Sequence, residues 1–231
     1  MPKNILRSSC TVINRHCNCF ETLTEAQKTL VEMNQVEVEY KKGETIAKQG
    51  SFATNIIFVC NGLIKVFLED QNDTLILKII PAENLVGLTT LSDGNNTFPY
   101  TAQAYQDSVV RLIDIKVFRK LIRENGAFAT EIINILGQNS IQINGRFFCL
   151  THKQSYGRMA DIILCLAQRI FKENEFDLLL TRKEIGELAG MSTESVIRIL
   201  KRFQEEKFIT IDGKSFVIND PEALQKISEL G

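Results

Sequence analysis

The chain has 231 residues, 44% of them hydrophobic and 24% charged, with a formal net charge of −1. That is enough apolar material for one large domain or two ordinary ones. Balanced charge gives no bulk support for a nucleic-acid partner, so any basic surface must be local.

No apolar run approaches the roughly 20 residues a membrane span needs. The opening MPKNILRSSC has neither a long apolar stretch nor a small-residue cleavage site, which argues against secretion. The expected compartment is the cytoplasm, where thiols stay reduced. The six cysteines then read as free thiols, metal ligands or redox sensors rather than a disulfide framework.

Residues 1–23 read as a polar arm containing CNCF. LTEAQKTLVEM follows as a helix, with Thr24 as its cap, Gln27 completing a capping box and Leu30 and Met33 on its apolar stripe. The period then changes to two. VEVEY alternates strictly, and ETIAKQ, NIIFVC, LIKVFLE, LILKII, YTAQAY and SVVRLID follow as short strands. Turns carrying Gly, Asn or Asp separate them, with Gly43, Gly50 and Gly62 at tight corners. Many short strands at near-regular spacing predict an all-β sandwich or small barrel within residues 24–124.

KVFRKLIREN is an amphipathic helix. A long helix over residues 125–152 places Phe128, Ile132, Ile135, Asn139, Ile143 and Arg146 roughly along one seam. That seam suits a helix paired with a copy of itself; it equally suits a helix packed on its own domain. Gly137 and Gly145 each cost about 1 kcal/mol there relative to Ala. YGRMADIILCLAQRIF is another amphipathic helix, and FDLLL a short strand.

Residues 153–231 carry the firmest punctuation. Thr181 and Glu184 form a capping box, so a helix starts at Arg182 and ends at Gly190, where the turn needs positive φ. Ser192 caps a second helix with an apolar face of Val196, Ile199, Leu200 and Phe203. Gly186 lies where the two helices must cross, and Ile185, Ala189, Met191, Val196 and Ile199 fill the space between them. This is helix-turn-helix spacing. FITIDGKSFVI then reads as two strands around Asp-Gly, a type I′ hairpin. Helix-turn-helix plus hairpin makes a winged helix. Asp220 caps a closing helix with Pro221 at its first position.

A recognition helix presents its first residues to base edges in the major groove of double-stranded DNA. Glutamate accepts from the cytosine amino group, and arginine forks onto guanine. Glu194 and Arg198 stand one turn apart, where they constrain each other's direction. Thr193 suits a thymine methyl or a phosphate. Ser192, Ser195, Arg182 and Lys201 suit phosphates, contacts that position without specifying. On an anonymous helix the pair would read as a surface ion pair; the turn before it and the wing after it favour DNA.

On these residues the chain resembles the cyclic-AMP receptor protein and fumarate–nitrate reduction regulator (CRP/FNR) family over nearly its whole length. LTRKEIGELAGMSTESVIRIL is similar to that family's DNA-reading motif, and KKGETIAKQG…IIFVCNGLIKVF to its glycine framework. The resemblance implies an α+β chain: an N-terminal antiparallel β-barrel of jelly-roll, cyclic-nucleotide-binding type, a long dimerisation helix and a C-terminal winged helix-turn-helix. It implies a homodimeric transcription regulator, not an enzyme, reading a palindromic TGA-type site through Thr193, Glu194 and Arg198, with RNA polymerase as a further partner.

The departures bear on the signal. Members that bind cAMP carry a glutamate after the cassette glycine and an Arg-Ser pair further on; here Leu88 takes the glutamate's place, and Phe98 and Pro99 stand near the pair. A buried phosphate without its cation costs several kcal/mol, so an effector other than cAMP is expected, its identity unknown. The oxygen-sensing branch holds an iron–sulfur cluster on four cysteines. Cys10, Cys17 and Cys19 are candidates, but Cys17-x-Cys19 is tighter than that branch's spacing. Its barrel cysteine is replaced near Arg111, so either Cys60 substitutes or the cluster is absent. Cys149 and Cys165 read as helix-core thiols. His16 and His152 are the candidate haem ligands.

The alternative reading is a ligand-binding regulatory module that works through protein partners; the wing and the Glu194/Arg198 pair argue against it. The sequence carries no Walker loop, H-E-x-x-H or G-x-S-x-G motif.

Overall fold

Helix α1 (Glu25–Glu32) starts where its sequence says it must. The Thr24 hydroxyl accepts from the Gln27 N–H and the Gln27 side chain accepts from the Thr24 N–H. The computed structural model describes residues 17–71, 73–178 and 180–231; Cys10 and His16 lie outside them. The chain divides into two compact units at residues 140/141, within its longest helix.

In the first unit, β1 (Gln35–Tyr40), β2 (Thr45–Ala47), β3 (Asn55–Asn61), β4 (Leu63–Asp70), β5 (Asp73–Pro81), β6 (Asn84–Val86), β7 (Thr101–Ala104) and β8 (Ser108–Asp114) form two four-stranded antiparallel sheets. Their orders are β1-β8-β3-β6 and β2-β7-β4-β5. The sheets do not pair into a closed barrel. They face each other as a jelly-roll sandwich. Ile57, Val59 and Val110 from one and Ile64, Val66, Ile80 and Ala102 from the other share one buried core. Strand β6 has no alternating pattern; its three residues are all buried, which hid it from period counting.

The outer face of the first sheet is covered by helices. Helix α2 (Ile115–Glu124) is capped by Asp114, whose carboxylate accepts from the Lys116 and Val117 N–H groups. Asn125 then caps α3 (Gly126–His152): its Oδ1 accepts from the Phe128 N–H at 3.0 Å, while its Nδ2 donates to Thr22 O and Gln27 Oε1. Cys19, Leu23, Val31, Ile56, Phe118, Leu121, Phe128 and Ile132 make the second core. Residues 17–23 are therefore seated, not loose: a 3-10 turn at Cys19–Thr22 packs into that core.

Two expectations change along α3. Phe128 and Ile132 face their own domain, and Arg146 is also buried. Of the residues expected on one seam, Ile143 alone is largely exposed. The free apolar row is displaced by one residue: Ile133, Leu136, Ile143 and Phe147, with Ser140 between them. Both sides of the helix are apolar, so periodicity could not choose.

The second unit holds α4 (Ser155–Leu166), β9 (Glu175–Asp177), α5 (Arg182–Ala189), α6 (Thr193–Glu205), β10 (Ile209–Asp212), β11 (Ser215–Ile218) and α7 (Pro221–Leu230), with sheet order β10-β11-β9. Helix α4 is shorter than its apolar pattern. Ala167–Phe171 widens into a π-helical turn that Lys172 ends in left-handed conformation, φ 58°. Strand β9 stops at Asp177, and Leu180 is buried at the position before the α5 cap. The hairpin also differs from expectation. Asp212 pairs with Ser215, so the loop is Gly213-Lys214, and positive φ falls on Gly213 and not on Lys214. That is the requirement of a type II′ turn, not type I′.

Candidate nucleic-acid interface

The turn between α5 and α6 is fixed by two glycines. Gly190 ends α5 at φ 59°, ψ 49°, and its N–H donates to Gly186 O. A Cβ on Gly186 would stand 2.7 Å from Met191 O and 3.6 Å from Val196 Cγ2, so α5 packs there directly on the backbone of the turn and close to α6. Both capping expectations hold. Thr181 and Glu184 bond reciprocally, and Ser192 Oγ accepts from the Ser195 N–H. Val196, Ile199, Leu200 and Phe203 are buried, which sets the roll of α6.

That roll leaves Glu194, Arg198 and Lys201 exposed, with Thr193 and Ser195 half-buried. Residues 194, 198 and 201 follow helical spacing and share one face. Among the described residues, Glu194 and Arg198 form no ion pair. Instead the carboxylate of Glu194 is held below the usual range by its own backbone N–H and then by the Ser192 hydroxyl, at the electropositive start of the helix. Arg198 and Lys201 likewise form no ion pair among the described residues, whereas Arg202 is bound to Glu206 at 2.6 Å. Ser192 Oγ and Ser195 Oγ lie 3.2 Å apart, so both hydroxyls are engaged in the cap. Arg182 is half-buried, and burial lowers its pKa.

Sequence reasoning missed the support beneath this turn. Arg146 Nη2 donates to Leu188 O in α5. Arg158 Nη1 donates to Leu150 O at 3.3 Å and Lys153 O at 3.0 Å, while its Nη2 reaches Gly190 O at 3.4 Å. Burial pushes the Arg146 guanidinium down to about 10. Beside them Asp161 accepts from Lys153 Nζ at 2.7 Å, from Cys149 Sγ at 3.2 Å and from Ser228 Oγ. Arginines and a lysine at helical spacing gave no signal that they turn inward. Ile197, 53% exposed on the same helix, was also passed over.

In the first unit, the backbone before Leu88 is closed over by the chain's own side chains. The Gly87 N–H donates to Tyr100 Oη at 3.1 Å, and a Cβ on Gly87 would meet Phe98 Cε1 at 3.2 Å. Leu88 and Phe98 are buried. Lys78 pairs with Val66 and stands two residues before Ile80, on their face of β5; burial pushes its amine down to about 8.

Among the described residues, which do not include Cys10, no three His, Cys, Asp or Glu side chains converge as a metal site. Cys17 and Cys19 lie within hydrogen-bonding reach of each other. That contact lowers the Cys17 thiol and, with burial, raises that of Cys19. Burial raises Cys60, and Cys149 is pushed up to about 12 by burial and by Asp161. Cys165 is buried in α4, as expected of a helix-core residue. No described helix is long and apolar enough to cross a membrane.

Comparison with known proteins agrees with this architecture. Residues 37–125 match the cyclic nucleotide-binding domain and residues 157–227 the Crp-like helix-turn-helix domain, together more than half of the chain. The chain belongs to the CRP/FNR family of DNA-binding transcription regulators. It is 25% identical over 237 residues to the fumarate and nitrate reduction regulatory protein of Escherichia coli, covering 98% of this chain and 94% of that one. It is 27% identical over 186 residues to the transcriptional activator protein Anr of Pseudomonas protegens, covering 78% and 75%. Among solved structures its fold is similar to that of a CRP/FNR-family regulator from Eubacterium rectale, with TM-score 0.78 at 19% identity over 92% of this chain and 98% of that one. FixK2 from Bradyrhizobium japonicum gives TM-score 0.75 at 18% identity over 84% and 96%. Members of this CRP/FNR family are transcription regulators, not enzymes.

Proposed function

We propose that this CRP/FNR regulator works in the cytoplasm as a homodimer, reads a palindromic TGA-type site through α6, engages RNA polymerase and answers an effector other than cAMP. The observation that carries the DNA reading is the start of α6. Glu194 and Arg198 stand exposed on one face and unpaired with each other, after a turn that two glycines fix. Glu194 is the acceptor for cytosine, Arg198 the fork for guanine and Thr193 the contact to a thymine methyl or phosphate. Arg182, Ser192, Ser195 and Lys201 serve the phosphates. Ser192 and Ser195 reach them only by exchanging bonds of the cap. The displaced row on α3 supports the dimer, since Ile133, Leu136, Ser140, Ile143 and Phe147 repeat every three or four residues.

The effector reading is supported by the occupied cassette. With Tyr100 on the Gly87 N–H and Leu88 and Phe98 buried, a cyclic phosphate would have to displace the chain's own side chains. Lys78 is an amine that burial has made a weaker base, a poor replacement for a guanidinium.

Arg198→Ala tests the DNA reading. It should cost about 1–3 kcal/mol on the cognate duplex and relax preference at one base pair. Competition titrations against single-base variants measure both. Equal loss on every sequence would reduce Arg198 to a phosphate contact.

A further inference from the structure

Residues 194, 197, 198 and 201 lie on one face of α6, and three of the four are charged. The fourth is Ile197, a branched aliphatic left 53% exposed between Glu194 and Lys201. Nothing in the fold of the unit accounts for it. The helix already buries Val196, Ile199, Leu200 and Phe203 on its other side. A β-branched residue on an exposed helix face is also slightly worse for the helix than the straight-chain polar residues around it. The groups it faces in use are those of the major groove, because its neighbours in both directions are the base-reading and phosphate-binding side chains.

Base edges in that groove are almost wholly donors and acceptors. The one apolar group they carry is the 5-methyl of thymine. Isoleucine has no hydrogen bond to offer any base, and set against a donor or acceptor it would strip water without replacing it. Set against a thymine methyl, it removes apolar surface from water on both partners. We infer that Ile197 is a specificity-determining residue, which selects thymine in each half-site by packing on its 5-methyl group. The inference rests on α6 being the DNA-reading helix. It adds a base that neither Glu194 nor Arg198 reads.

The test uses the full chain and a duplex selected from a random pool. Each symmetry-related pair of thymines, one in each half-site, is replaced in turn by deoxyuridine, which deletes the methyl and leaves every hydrogen-bonding group. Wild type should lose roughly fourfold in affinity per half-site at one such pair, the value for burying about one methylene-sized group in each. Ile197→Ala should show a comparable loss on the thymine duplex and no further loss on the uracil one. Ile197→Val should stay close to wild type. Sensitivity to uracil that is unchanged in Ile197→Ala, or no sensitivity at any thymine, overturns the inference. So does an alanine loss that is equal on all sequences, the pattern of a sugar contact. If wild type selects no sequence at all, the DNA reading itself has failed.

Discussion

The two units of this chain handle polar groups in opposite ways. In the first unit the Gly87 N–H is satisfied from within by Tyr100, and apolar side chains close around it. In residues 141–231 the polar groups are sorted by depth. Those inside are paired with backbone carbonyls or with each other, while Glu194, Arg198 and Lys201 stay exposed. The lesson is about what can diverge. A ligand cavity is emptied or filled by a few substitutions without cost to the sheets. A reading head must keep its surface groups free and therefore needs its support beneath them.

The sharpest way to break this comparison is to remove the buried support. Lys153 and Asp161 have side chains only 18% and 11% exposed, and Asp161 also accepts from Cys149 and Ser228. Asp161→Ala leaves the lysine charge without its partner, which costs about 3–5 kcal/mol. Hydrogen exchange locates the loss. Amides of α4 and α7 should exchange faster, while those of the jelly roll keep their protection. Equal loosening of both units would mean that the support is not local to the DNA-binding unit.

A smaller effect is expected at the helix crossing. Gly186→Ala places a methyl 2.7 Å from Met191 O, a backbone atom that cannot move aside without shifting the turn. The strain should cost about 1–3 kcal/mol, as overpacking does. Because the turn aims α6, DNA affinity should fall further than stability does. Thermal unfolding and duplex titration on the same sample separate the two. An unchanged affinity would show that the orientation of α6 tolerates this contact opening.

What could be read in advance divides along the same line. Caps and turns are local, so Thr24 with Gln27, Thr181 with Glu184, Ser192 and Gly190 announced their helices within four residues of sequence. The exposed face of α6 followed, because its apolar stripe fixed which side was wet. Contacts made across the fold gave no such sign. Nothing near Arg146 or Arg158 in sequence says that their partners are the carbonyls of Leu188 and Gly190. Nothing near Gly87 says that Tyr100 fills its place. The α3 seam was misplaced by one residue for a related reason. Phe128 and Ile132 belong to a core built from α1, α2 and the sheet, and only those partners reveal which apolar side is covered.

The mildest test asks whether the exposed cations divide their labour as their surroundings imply. Lys201 stands two turns into α6, exposed and without an ion pair among the described residues, whereas Arg202 beside it is held by Glu206. A free ammonium at that depth along the helix suits the phosphate backbone, where charge counts and geometry does not specify. Lys201→Ala should therefore weaken binding to every sequence by a similar factor. The plot of log affinity against log salt should flatten by about 0.9 per dimer half, the share of one neutralised phosphate. Arg202→Ala should leave that slope nearly unchanged, since its charge is already compensated within the helix. A slope that responds to Arg202 and not to Lys201 would reverse the assignment and rotate the phosphate-facing side of α6 by about 100°, one residue of helix.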